Sequence, residues 1–170
     1  MLPETTRLIL REMTAADYDA LRAIMQAPQV MYAYEGPFTD EEVRAWLNRQ
    51  LERYARFGFG LWAVVLKETG RVIGQCGLTM QPWKEESVLE IGYLFRRDAW
   101  HRGYATEAAR ACREYAFSVL GAREVCSIIR DTNLASQNVA RRNGMTPRDT
   151  WIKHFRGVDM PHIRFAITRP

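Results

Sequence analysis

Long apolar runs are missing from this chain. No stretch approaches eighteen consecutive apolar residues, which excludes a membrane-spanning helix. Cysteine is scarce: Cys76, Cys112 and Cys126 are odd in number, far apart and set in apolar stretches, so they read as buried reduced thiols and not as a disulfide framework. Histidine is equally sparse, and His101, His154 and His162 form no metal-ligand spacing with one another or with the cysteines. Neither G-x-x-x-x-G-K-[ST] nor G-x-G-x-x-G occurs, which removes the nucleotide P-loop and the dinucleotide fingerprint. No linker, repeat or low-complexity stretch divides the chain, so residues 1–170 read as one domain. The start, Met1-Leu2-Pro3-Glu4, lacks the basic-then-apolar layout of a signal peptide, and a cytoplasmic location is the expectation.

What is present is ordinary in bulk. The 170 residues, 47% of them hydrophobic, suffice for a sizeable core without staples or metals. Lys and Arg number 24 against 20 Asp and Glu, a net +4 that fits a nucleic-acid surface, an anionic small ligand or solubility alone. The arginines are spread along the chain (Arg7, Arg11, Arg44, Arg141, Arg142) without the interleaved aromatic and basic motif of an RNA-reading surface, so nucleic acid is not an expected partner.

Periodicity orders the chain. RLILRE (7–12) has strand length, and Thr14-Ala-Ala-Asp17 forms a helix-capping box ahead of Tyr18, Leu21, Ile24 and Met25 at helical spacing. YAYEGPF (32–38) reads as a loop. Thr39-Asp-Glu-Glu42 is a second capping box, launching a long helix with Val43, Trp46, Leu47, Leu51 and Tyr54 on one face. LWAVVLK (61–67), Glu68-Thr-Gly70 and RVIGQCGLTM (71–80) make a hairpin, followed by a strand at 87–95. Helical spacing resumes at Ala105, Ala108, Ala109, Cys112, Ala116 and Leu120, and EVCSIIR (124–130) is a buried strand. A short helix at about 135–143 and strands at about 146–155 and 162–168 complete the order βααβββαβαββ. This is an α/β (α+β) pattern, a mixed sheet covered by helices.

The sharpest local feature is the strand-to-helix turn 94–107. Arg96, Arg97 and Arg102 surround a helix start at Gly103. A helix N-terminus presents unpaired N–H groups and partial positive charge, and so suits a phosphate; the plainer reading is a connection with solvated arginines.

Trp100-His101-Arg102-Gly103-Tyr104-Ala105-Thr106-Glu107-Ala108 resembles the acetyl-CoA pyrophosphate loop of the GCN5-related N-acetyltransferases (GNAT), most of all the branch named for the ribosomal-protein acetyltransferases RimJ and RimL. Gly103 and Ala105 match the family pattern [QR]-x-x-G-x-[GA], and Trp100 departs from its first position. Glu90-Ile-Gly-Tyr93 resembles the preceding family strand. Asn133-Leu-Ala-Ser136-Gln-Asn138, running on to Gly144-Met145, resembles the N-x-x-S…G-[FM] segment after the fifth strand. The element order matches over essentially the whole chain.

The resemblance implies a GNAT fold, a mostly antiparallel twisted sheet with helices on both faces and two strands, 87–95 and 124–130, splayed at the CoA site. It implies acetyl-CoA as co-substrate and no metal. Pantetheine would pair with the backbone near Tyr93, Leu94 and Phe95. The pyrophosphate would meet the N–H groups of Arg102, Gly103, Tyr104, Ala105 and Thr106 and the Thr106 hydroxyl, with Arg97 and His101 adjoining. Asn133 and Asn138 would add polar contacts to the pantetheine arm.

The implied chemistry is direct attack of a primary amine on the thioester in a ternary complex. Many relatives use a tyrosine seven residues after the asparagine as acid, but that position is Ala140 here. Ser136 matches the serine acid of the RimL-like branch, its plainer role being a helix cap. Glu90 is the leading candidate base and Glu35 the alternative; Glu107 reads as structural. Tyr32, Tyr34, Met80 and Trp83 read as acceptor-pocket wall or core. The acceptor is a protein N-terminus or a small-molecule amine. A homodimer is compatible with the exposed sheet edge expected near the C-terminal strands, with the last strand, RFAIT, as a protected edge. A reading from another class is a CoA-binding sensor that kept the fold and lost turnover.

Overall fold

The computed structural model describes residues 1–170. Its elements are β1 (Leu8–Arg11), α1 (Tyr18–Met25), α2 (Pro28–Met31), α3 (Asp40–Phe57), β2 (Leu61–Leu66), β3 (Arg71–Trp83), β4 (Glu86–Phe95), α4 (Tyr104–Ser118), β5 (Glu124–Arg130), α5 (Leu134–Arg142), β6 (Thr146–Phe155) and β7 (Val158–Thr168). Both capping boxes form. Thr14 and Asp17 close one reciprocally, and Thr39 and Glu42 close the other at the start of α3. The stretch read as a loop at 32–38 differs: α2, entered through Pro28 at its first turn, precedes it, and Tyr32–Tyr34 form one 3-10 turn that Glu35 ends in left-handed conformation.

The seven strands form one sheet in the order β1-β2-β3-β4-β5-β7-β6. All neighbours run antiparallel except β4 and β5. This corrects the expectation for the last strand. β7 lies between β5 and β6, and β6 is the edge, because RFAIT pairs along β5 from Glu124↔Thr168 to Ile128↔Arg164 and buries Phe165 and Ala166. The tight turn at Arg156-Gly157 also starts β7 at Val158, earlier than its apolar pattern indicated.

Side-chain alternation divides the sheet into two faces. Leu8, Leu10, Trp62, Cys76, Leu78, Ile91 and Phe95 pack with α4 residues Ala108, Ala109, Cys112 and Ala116; the small side chains let the helix lie close. Leu61 and Ala63 join α1, α2 and α3 on the opposite face through Leu21, Ile24, Met25, Val43 and Leu47. Buried Gln50 ties α3 to β2 by accepting the Leu61 N–H at 3.1 Å. The three cysteines are free and buried. No helix is long and apolar enough to cross a membrane.

Candidate active site

The parallel pair at the centre of the sheet is nearly unpaired. β3 and β4 stay in register from Gly74↔Phe95 to Trp83↔Glu86, whereas β4 and β5 meet only at Glu90↔Cys126. Past that vertex, side chains bridge the strands: Ser127 Oγ donates to Ile91 O at 2.8 Å, and Ile128 N–H donates to Glu90 Oε1 at 3.3 Å. Backbone groups alternate along a strand, so the N–H and C=O of Tyr93 point the same way as those of Ile91, into the widening gap. The Phe95 carbonyl is already taken by Trp100 Nε1 at 3.0 Å.

Beyond the open end lies the start of α4. Gly103 takes φ +79°, a conformation that costs a residue with Cβ about 1 kcal/mol or more. None of the backbone N–H groups of His101 through Thr106 donates to an acceptor within the protein. The turn is fastened from behind. Glu107 accepts from Thr5 Oγ1 (2.6 Å), Arg7 N–H (3.0 Å) and Arg7 Nε (2.7 Å), while Arg7 Nη1 donates to Arg102 O at 2.9 Å. Burial opposes ionisation of Glu107, but these bonds outweigh it and hold its carboxyl below the usual range. Glu107 thus tethers the turn to the strand-β1 segment. Arg97 stacks over Trp100 at 4.6 Å, and Arg96 pairs with Asp98. His101, Gly103 and Thr106 line an outer groove together with Arg110 and Arg142.

At the vertex the gap widens into a cavity of about 400 Å³ between the sheet, α3, α5 and the β6–β7 hairpin. Gly92 lies on its floor between Glu90 and Leu94, so the cavity reaches the strand backbone. Asn133 caps α5 through its side-chain oxygen, which accepts from Ser136 N–H at 3.2 Å and from Tyr32 Oη at 2.7 Å. Ser136 therefore is not the cap, and it belongs to the cavity lining. Its backbone carbonyl accepts from Tyr93 Oη at 2.7 Å. Asn138 lies on the exposed side of α5, bonded to Arg141, outside that lining.

Glu90 is the only carboxylate in the lining. Burial raises its pKa, partly offset by Lys153, the Ile128 N–H, Thr79 and Arg53. Burial also pushes Tyr34 up to about 12, with Glu90 adding to the shift, and Tyr93 higher still, so both stay protonated donors. Glu35 sits at the rim with its carboxylate on the Arg130 guanidinium. Tyr34 lines the cavity, Tyr32 reaches it only through Asn133, and Met80 and Trp83 do not line it. Trp83 is core: it packs edge-on to Trp151 and donates its indole N–H to Asp149 at 3.0 Å. No group of three or more His, Cys, Asp or Glu side chains stands together to hold a metal ion.

The sequence reading missed Arg49, Arg53, Gln75 and Lys153, all in the lining. One signal was there to be read: Trp46, Arg49, Gln50 and Arg53 follow i, i+3, i+4, i+7, which puts polar residues on the inward stripe of α3.

Comparison with known proteins agrees with this geometry. Residues 7–146 match the model of the Acetyltransferase (GNAT) domain. The chain is 37% identical over 142 residues to the uncharacterized protein YkkB of Bacillus subtilis, covering 83% of each chain. Among solved structures, an acetyltransferase from Agrobacterium tumefaciens superposes with TM-score 0.82 at 31% identity, over 98% of this chain and 93% of that one. Spermidine N-acetyltransferase from Vibrio cholerae, solved with CoA and spermine, shares the fold with TM-score 0.77 at 15% identity, over 96% of both chains.

Proposed function

The chain belongs to the GNAT acetyltransferase family, and from that premise we propose that it transfers the acetyl group of acetyl-CoA to a primary amine by direct attack in a ternary complex. The observation that carries this reading is the β4/β5 gap, which leads from a free helix N-terminus at Gly103–Thr106 to a cavity holding one carboxylate. The residues fit the coenzyme. Six consecutive unbonded N–H groups match a pyrophosphate, at a turn whose φ of +79° at Gly103 favours glycine.

When bound, the coenzyme supplies a thioester activated toward an amine. The chain's contribution begins with holding both reactants in one cavity, which itself lowers the barrier. Glu90, with its raised pKa, takes the proton of the incoming ammonium, directly or through water. The Tyr93 N–H, open to the gap, donates to the oxygen on which negative charge develops. The Ser136 hydroxyl gives a proton to the departing sulfur and regains one from the nitrogen of the adduct, directly or through water. Ser136, Asn133 and the Trp100–Gly103 turn support placing the chain with the RimJ/RimL-like branch, and the route is one of positioning with no covalent enzyme intermediate.

Calorimetry with acetyl-CoA tests the premise: binding at micromolar concentrations is expected, and its absence overturns the reading. An acceptor screen with mass-spectrometric detection tests turnover. Tight binding with no acetylated product from any amine or peptide would replace the enzyme by a CoA-binding sensor.

A further inference from the structure

The acceptor end of the cavity has a charge pattern that selects among amines. Its wall carries the cations Arg49, Arg53, Arg130 and Lys153 against the one carboxylate of Glu90. Only Arg130 has an acidic partner, Glu35 at the rim. Arg53 donates to the neutral Gln50, Arg49 stacks on Trp46, and Lys153 has no hydrogen bond or ion pair. Three cations thus face one carboxylate without counter-charges of their own. They share one lining with Glu90; burial and then the charge of Arg49 lower Arg53, and burial raises Glu90 against the opposing pull of Lys153 and Arg53.

An independent observation points the same way. Gln75 is fully buried, accepts the Trp46 indole N–H at 2.8 Å through Oε1, and leaves its Nε2 without a partner in the cavity wall. Arg130 Nε is likewise buried and unpartnered in that wall. Buried donors left unpaired are costly, and two of them on residues lining one cavity add to the donor excess of its wall and favour an acceptor-rich occupant. These groups are not a second phosphate site for the coenzyme loop, since no residue of 96–106 lines the cavity.

We propose that the amine acetylated here also carries an oxyanion, a carboxylate or a phosphate, which Arg49, Arg53 and Lys153 hold while its ammonium lies toward Glu90. This rests on the acetyltransferase reading and narrows its substrate class. Polyamines and other polycations meet net repulsion in this cavity, whereas a small zwitterion matches it group for group.

The test is a steady-state panel of amine pairs matched in length: L-methionine with L-methioninamide, and 4-aminobutyrate with 1,4-diaminobutane, extended by the other amino acids and by 3-aminopropylphosphonate to separate carboxylate from phosphate. The anionic member of each reactive pair is expected to exceed its partner at least ten-fold in kcat/KM. R53Q and K153Q should reduce that ratio about ten-fold, chiefly through the acceptor KM, while the dissociation constant of acetyl-CoA read by calorimetry stays within two-fold. Preference for the diamine or the amide, an unchanged ratio in both variants, or failure of every anionic member with acetyl-CoA bound overturns the inference. Failure of acetyl-CoA itself to bind is a different result, and it overturns the acetyltransferase reading beneath.

Discussion

Tyr93 on β4 donates its hydroxyl hydrogen to the backbone carbonyl of Ser136 on α5, 2.7 Å away, and so joins the two sides of the gap. The bond spans the opening where the sheet itself makes none. Loss of the hydroxyl in Tyr93→Phe removes one tie between α5 and the sheet. A stability loss of about 1–2 kcal/mol in chemical denaturation is expected, with a fall in kcat as Ser136 shifts.

Ser136→Ala separates positioning from proton donation. The backbone bonds of residue 136 to Asn133 and Tyr93 survive the change, so α5 stays capped. The expected outcome is a kcat about 10–100-fold lower with acetyl-CoA affinity nearly unchanged. An unaltered kcat assigns the proton to another donor.

Glu90 links activity to pH and to stability with opposite signs. As base it must be ionised, so kcat/KM should climb with pH on an acidic limb displaced above the ordinary glutamate range, and Glu90→Gln should lower kcat by about 100-fold and remove that limb. A raised folded-state pKa means its contribution to stability is present at low pH and is lost as pH rises through the raised value. Glu90→Gln is therefore expected to raise Tm at neutral pH while it lowers activity, and scanning calorimetry beside the pH profile checks both.

Gly103→Val tests the helix N-terminus. Valine at φ +79° is strained, and its Cβ stands 3.4 Å from Arg7 Nη2, so it presses on the arginine that fastens the turn. Acetyl-CoA affinity should fall at least ten-fold by calorimetry.

Asp149 sets acid sensitivity. Burial raises its pKa, but bonds from Lys84 (2.9 Å), Trp83 (3.0 Å) and Arg164 (2.9 Å) outweigh that and hold it at about 2. A depressed carboxyl stabilises the fold above its unfolded value of about 4, and that stabilisation disappears as pH falls toward about 2. With allowance for screening at a partly exposed site, about 1–2 kcal/mol should vanish in that window. Asp149→Asn should flatten the corresponding part of a Tm-against-pH curve.

The fold was legible because capping boxes, turn glycines and apolar periods act locally. Thr39 with Glu42 and Gly103 before Ala105 declare their elements within a few residues. The edge position of β6 was not, since RFAIT reads alike as an edge or a buried strand and only its pairing with β5 decides. In the site, Glu90, Ser136 and Asn133 carry motif signals on single elements. Arg49, Gln75 and Lys153 converge from α3, β3 and β6, and no local pattern encodes that meeting. Trp83 shows the reverse limit: an aromatic residue on a pocket-bearing strand, whose indole turned out to serve the core.

All three cysteines are sealed inside the protein, and burial raises the thiols of Cys112 and Cys126 well above the ordinary range. Each turnover under the proposed reaction releases one coenzyme thiol into solvent. A folded enzyme of this design is deaf to its own product: it offers no accessible thiolate for mixed-disulfide formation. A thiol-reactive dye can therefore follow the reaction continuously without a contribution from the native enzyme, and any slow enzyme-derived signal would report unfolding.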